Sequence, residues 1–224
     1  MREVDRLAEA DFGIEPLQLM EVAGLMTARA AREIVGPLAG RAVCILAGKG
    51  NNGGDGLVAA RRLAGWGARV LVITAFAPFD ATRLAAHQLR TLLRQGIAVE
   101  SWTGLLPPAD LYIDALLGFG AQGAPRDIVA DVIDSTPAGA PILALDLPSG
   151  LDADTGEAAG ACVVAGSTVT LGVPKRGLLR PAAAGFSGRL YLADIGIPPE
   201  LLVRLGVDPS GLFETGDLVV IGEP

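Results

Sequence analysis

Asp114 is lodged inside an apolar run, Leu111-Tyr-Ile-Asp-Ala-Leu-Leu, that breaks into glycines at 118 and 120, and Asp146 closes another, Ile142-Leu-Ala-Leu-Asp, before a Pro-Ser-Gly turn. A carboxylate at the end of a buried strand is unfavourable unless it is paired, hydrogen-bonded or set against a cation. A third apolar run, 42–47, breaks into Gly48-Lys-Gly-Asn-Asn-Gly-Gly-Asp-Gly56. There Asn51, Asn52 and Asp55 add oxygen-bearing side chains to a loop that needs only glycine in order to turn. With Ser149 these residues supply oxygens and neither thiolate nor imidazole, a donor set suited to hard alkali or alkaline-earth cations. Each has a plainer use as well: aspartates cap turns, and glycines let a strand and a helix pack. Lys175, after a further apolar run, would offer positive charge to a phosphate or stand as an ordinary solvated lysine.

Those residues can act together only if the chain brings them together. The run 42–47 reads as a buried parallel strand. The glycines at 48, 50, 53, 54 and 56 are expected to allow positive φ and close backbone approach, with a helical pattern from Leu57 to Leu63. Backbone N–H groups at such a turn, backed by the helix dipole, make an anion site. Gly48-Lys-Gly-Asn-Asn-Gly53 satisfies G-x-G-x-x-G between a strand and a helix. The next strand, 69–75, has no carboxylate at its end before Asp80, so the usual NAD ribose contact is missing. Gly54 stands where a Walker loop needs lysine.

Helices are predicted over 2–11 and 17–35, with Met20 and Met26 on the core-facing stripe. Asp80 is expected to cap a helix over 80–95, with Leu84, Leu89, Leu92 and Leu93 inward and His87, the single histidine, at the surface. Strands follow at 97–102, 111–117, 141–146, 167–172 and 188–193, with helices at 127–136 and 201–205 and a weak strand at 218–221. This alternation implies right-handed βαβ units and an α/β fold: a Rossmann-like, doubly wound, mainly parallel sheet with helices on both faces. One domain spanning 1–224 is expected. In the commonest strand orders the first and fourth strands adjoin at the ligand crevice, with the fifth beside them. Asn51, Asn52 and Asp55 would then meet Asp114, the loop 118–120, Asp146 and Ser149.

Composition narrows the partners. Half of the 224 residues are hydrophobic, and aromatics make up only 4%, so the core is aliphatic. A formal charge of −7 offers nothing to neutralise a row of phosphates, which argues against nucleic acid and acidic membranes and for a small molecule. No run approaches the roughly 18 apolar residues of a membrane span, and the charged N-terminus lacks the apolar stretch of a signal peptide. Cys44 and Cys162 lie in apolar, strand-like runs without CxxC spacing and read as two buried small hydrophobes in a reducing, cytoplasmic setting.

Five ordered motifs together resemble the NAD(P)H-hydrate epimerases, the YjeF N-terminal domain. They are Leu19-Met-Glu-Val-Ala-Gly24, Ala47-Gly-Lys-Gly-Asn-Asn-Gly-Gly-Asp-Gly56, Asp114-Ala-Leu-Leu-Gly118, Leu145-Asp-Leu-Pro-Ser-Gly-Leu-Asp152 and Val173-Pro-Lys-Arg-Gly-Leu178. The resemblance implies an isomerase of nicotinamide cofactor repair, interconverting the R and S epimers of hydrated NADH or NADPH (NADHX, NADPHX). A separate dehydratase specific for the S form would act downstream. It implies substrate contacts from Asn51, Asn52, Gly53, Gly54 and Asp55, from the loop Gly118, Phe119, Gly120, Ala121, Gln122, Gly123 and Ala124, and from Asp146. It implies a potassium ion (K+) on Asn52, Asp114 and Ser149. Many relatives have Gly-Thr-Gly where this chain has Gly118-Phe119-Gly120. Asp146 is expected to be catalytic, as acid and then base at C6, with Lys175 as the second group near the ring. The N-terminal helices and C-terminal segment are where a homodimer would form. Two rivals stand: a hydride-transferring dehydrogenase, and a non-catalytic dinucleotide-binding or protein-interaction module of the same fold.

Overall fold

The structure, a computed structural model, describes residues 2–223; Met1 and Pro224, the ends of the expected single domain, lie outside the described residues. Two helices, α1 (Arg2–Phe12) and α2 (Pro16–Val35), lead into β1 (Ala42–Ala47), α3 (Asn51–Gly65), β2 (Arg69–Thr74), α4 (Arg83–Arg94) and β3 (Ala98–Ser101). There follow β4 (Leu111–Ala115), α5 (Asp127–Asp134), β5 (Ile142–Leu145), β6 (Ser167–Leu171), α6 (Ala184–Ser187), β7 (Arg189–Ala193), α7 (Pro199–Arg204) and β8 (Leu218–Gly222). The sheet order is β3-β2-β1-β4-β5-β6-β7-β8, parallel throughout until β8 pairs antiparallel with β7. The winding therefore reverses between β1 and β4, as expected.

Both faces of the sheet are covered, which is why its strands read as unbroken apolar runs. Along β1, Val43 and Ile45 join the core under α2, α3 and α4, while Cys44 and Leu46 join the core that holds Val132 and Ile133 of α5. Glu21 on α2 ties three helices together, bonding Arg61 at 2.6 Å and Arg62 at 3.0 Å on α3 and Gln88 at 3.1 Å on α4. The C-terminal segment packs on the N-terminal helices: Arg204 reaches Asp11 at 2.8 Å, and Arg29 reaches Asp217 at 2.8 Å. No helix among the described residues is long and apolar enough to cross a membrane.

Several expectations need correction. Helix α3 starts at Asn51 rather than Leu57, and none of Gly48, Gly50, Gly53, Gly54 or Gly56 adopts positive φ. Their use is close approach. A Cβ on Gly56 would lie 2.5 Å from the Ala115 methyl, one on Gly54 would lie 2.9 Å from Met20 Sδ, and one on Gly53 would strike the Gly48 carbonyl. Helix α4 starts at Arg83 and is capped by Thr82, whose Oγ1 accepts from Ala85 N at 3.4 Å, while Asp80 closes a separate 3₁₀ turn. A hydroxyl two residues later thus displaced the predicted carboxylate cap. Leu93 is exposed, since the buried stripe of α4 passes through Ala85, Leu89 and Leu92. Cys162 is half-buried in an irregular segment rather than in a strand. Both thiols are free, and burial pushes each up to about 12.

Candidate functional site

A cavity of about 940 Å³ opens beyond the carboxyl ends of the strands at the reversal point. That is near the upper end of the roughly 300–1,000 Å³ typical of ligand pockets. Asn51, Asn52 and Asp55 line it from α3, Gly118 to Ala121 from the loop after β4, and Asp146 from the turn after β5. The expected convergence is therefore present. Ala75 and Phe76, just past β2, also line the wall where a ribose-binding acid would stand in a dinucleotide dehydrogenase.

Asp146 and Lys175 form a buried ion pair, each side chain only 4% exposed. Lys175 is thus no solvated lysine; its Nζ also donates to Leu171 O at 3.0 Å and sits 6.0 Å from the centre of the Phe119 ring. The second Asp146 oxygen accepts from Phe119 N at 3.2 Å. Asp146 also has φ of 72°, a left-handed backbone conformation that strains non-glycine residues by roughly 1–3 kcal/mol. Such strain persists where surroundings over-determine a residue. Here Asp146 N donates to Val169 O at 2.8 Å while its carboxylate is held at both oxygens.

Beneath the cavity runs a hydrogen-bonded chain of oxygens. Ser149 donates to Asp114 through its N–H at 2.7 Å and its hydroxyl at 2.6 Å, and Leu116 N adds a bond at 3.2 Å. Leu117 N donates to Ser149 Oγ at 2.9 Å, and Asn52 Nδ2 donates to Leu117 O at 3.0 Å. These contacts lock the ends of β4 and β5 to the start of α3. Asp114 is fully buried, and no cationic side chain among the described residues pairs with it. Burial pushes its carboxyl up to about 6, although the bonds from Ser149 and Leu116 pull the other way. A buried carboxylate lacking a counter-charge, ringed by serine, asparagine and carbonyl oxygens, is a chemical fit for a hard cation.

Other predicted contacts lie elsewhere. Gly53 and Gly54 are buried in the packing of α3 against Gly48 and Met20, beneath the wall rather than on it. Gly123 turns with φ of 73°, and Ala124 packs toward Gly160. With Gln122 these two fall outside the part of the loop that lines the cavity. Met20 is both core and cavity wall. Asp5 of α1, by contrast, lines the cavity without having been anticipated. In sequence it is one polar residue of an amphipathic helix, and only tertiary packing carries it to the site.

Fold and site first define a class: Rossmann-like α/β proteins that receive a ligand where the winding reverses. The chain belongs to the family described as YjeF-related protein N-terminus, which it matches over residues 16–177. It is 39% identical to the bifunctional NAD(P)H-hydrate repair enzyme Nnr of Salinibacter ruber, across 98% of this chain and 44% of that protein. It is 38% identical to the NAD(P)H-hydrate epimerase of Rhodopirellula baltica, across 92% of this chain and 86% of that one. The chain thus spans less than half of the bifunctional relative and most of the epimerase. The crystal structure of yeast ynu0 superposes with a TM-score of 0.82 at 27% identity, covering 98% of this chain and 96% of that one.

Proposed function

We propose that this chain interconverts the R and S epimers of NADHX and NADPHX at C6. The observation that carries the reading is the buried Asp146–Lys175 pair, set on strained backbone at the wall of a dinucleotide-sized cavity. Supporting it, a relative matched over most of its length is named NAD(P)H-hydrate epimerase. The N-terminus of α3, with Asn51 and Asn52, and the loop 118–121 would hold the diphosphate, since unpaired helix N–H groups and the dipole favour anions.

At the reacting end, the ring nitrogen lone pair expels the C6 hydroxyl and leaves a flat cation that water re-enters from either face. Asp146, paired with Lys175 and bonded by the Phe119 N–H, would stabilise that cation and take the proton of the returning water. With Asp146 paired to Lys175 before the reaction, the proton for the departing oxygen would come from a second acid. Asn52, Asp114 and Ser149, with Leu117 O, would hold potassium, which supplies positive charge to Asp114 and the diphosphate. A dehydratase would consume the S epimer in the cytoplasm, where free Cys44 and Cys162 stay reduced. A homodimer would use the exposed apolar residues Val203 of α7 and Val220 of β8.

The test supplies an S-specific dehydratase with mixed epimers and follows loss of the R form. Acceleration beyond the spontaneous rate is expected, falling by about 10²–10⁴ in Asp146→Asn. Consumption of the R form at the spontaneous rate would overturn the proposal.

A further inference from the structure

Asp146 shares its cavity with two more carboxyl groups. Asp55, in the second turn of α3, and Asp5, on α1, line it too. The charges of Asp146, Asp5 and Lys175 all act on Asp55, from the turn after β5, from α1 and from the segment after β6. The neighbouring helix α2 carries Glu21, which is engaged by Arg61, Arg62 and Gln88. The other charged wall residues are Lys49, Asp80, Arg126 and Asp127.

Three carboxyl groups around one ammonium cannot all ionise without strong mutual repulsion. Their bonding decides which one keeps a proton. Asp146 is ion-paired with Lys175 and accepts from the Phe119 N–H. Among the described residues, no hydrogen bond or ion pair engages the Asp55 carboxyl. Burial holds Asp55 well above the usual carboxylate range, Asp146 and Asp5 add to the rise, and Lys175 opposes it. Burial raises Asp5 as well.

We propose that Asp55 is a second catalytic carboxyl, the proton donor to the hydroxyl leaving C6, with Asp146, on another element of the same crevice, as the base. This rests on the epimerase reading. As the C6–O bond breaks, the ring nitrogen lone pair forms a C=N bond, and the departing oxygen takes the Asp55 proton and leaves as water. A water then bonds to C6 from the other face, the C=N pair returns to nitrogen, and Asp146 takes the surplus proton. The turnover ends with the proton moved from Asp55 to Asp146, which is the form able to run the reverse epimerisation; exchange with solvent interconverts the two forms.

Two measurements test this. Infrared titration of the substrate-free protein should show a protonated-carboxyl band at neutral pH that Asp55→Asn removes. In the coupled assay, Asp55→Asn should lose about 100-fold or more in kcat/KM. The parental kcat/KM should fall on the alkaline side as Asp55 ionises, and Asp5→Asn, which removes a repelling charge, should move that fall to lower pH. Folding is checked by melting. A carboxyl raised in the native state makes stability fall as pH climbs from the unfolded value toward the folded one, so neutral Asp55→Asn should melt no lower than the parent at pH 8. Absence of the band, or Asp55→Asn turning over within tenfold of the parent, overturns the assignment. If the parent itself fails to accelerate R-epimer consumption, the epimerase reading fails and the acid role falls with it, while the band still reports whether Asp55 holds a proton.

Discussion

Replacing Gly53 with alanine asks whether the glycines of 48–56 serve packing rather than turning. In an uncrowded helix the change would raise stability by roughly 0.8–1 kcal/mol through helix propensity. At Gly53 the added methyl would collide with Gly48, whose carbonyl carbon would lie 2.7 Å away and whose nitrogen 3.0 Å away. Gly48 cannot retreat, because a methyl on it would itself lie 2.8 Å from the Leu116 carbonyl carbon. Backbone faces backbone on both sides, so no rotamer relieves the contact and β1 must part from α3. Overpacking costs about 1–3 kcal/mol where side chains can shift. Here the upper end applies, about 3 kcal/mol net of propensity.

For a chain of this length each kcal/mol lowers Tm by about 2–4 °C, so Gly53→Ala should melt roughly 6–12 °C below the parent. Gly50 supplies the control from the same motif. It caps α3 at φ −86°, and a methyl there would meet nothing within 4 Å. Gly50→Ala should therefore lower Tm by at most about 3 °C, the effect of a weaker cap. Circular dichroism melts of the three proteins decide the matter. Equal melting temperatures for Gly53→Ala and Gly50→Ala would refute the close-approach account.

Lys175→Met leaves Asp146 buried without its partner and should destabilise by about 3–5 kcal/mol in denaturant titration. Adding Asp146→Asn should recover more than half of that loss, and simple additivity of the two changes would show that the pair is not coupled. Potassium at fixed ionic strength should raise Tm in the parent, by about 2.7 kcal/mol of stability at a hundredfold excess over Kd. The rise should vanish in Asp114→Asn; an equal rise there, or with choline in place of potassium, removes the cation site. Cys44 and Cys162, whose thiols burial pushes up to about 12, should resist alkylation in the native protein at pH 8 and react only as the chain unfolds. Rapid native labelling of Cys44 would contradict its packing.

The strand pattern was legible because burial on both faces writes an unbroken apolar run, as in 42–47 and 111–115, and because the reversal point follows from strand order. The strand-end aspartates were legible for a related reason: a carboxylate inside such a run demands a partner. What sequence could not carry was the identity of that partner. Lys175 lies 29 positions from Asp146 in the chain, and nothing local distinguishes it from a surface lysine. Nor could propensity place the start of α3, since glycine at 53, 54 and 56 is unfavourable in a helix until packing against Gly48, Met20 and Ala115 requires it. Asp5 was hidden for the same reason, its role arising from where α1 docks.

Charge matching gives the crevice its logic under the proposed reaction. The chain carries −7, yet its substrate bears phosphates, so the phosphate end must rest on helix N–H groups and a bound cation rather than on a basic surface. The other end gathers Asp5, Asp55 and Asp146 near Lys175. A ring that becomes positive only after the hydroxyl departs gains most from an anion already in place, and that gain grows where water is excluded. With every carboxyl ionised, the crevice would repel the phosphates before reaction; with all protonated, it would not stabilise the cation. The Lys175 ammonium resolves the conflict by pairing with Asp146, which leaves Asp55 as the carboxyl without an ion-pair partner among the described residues.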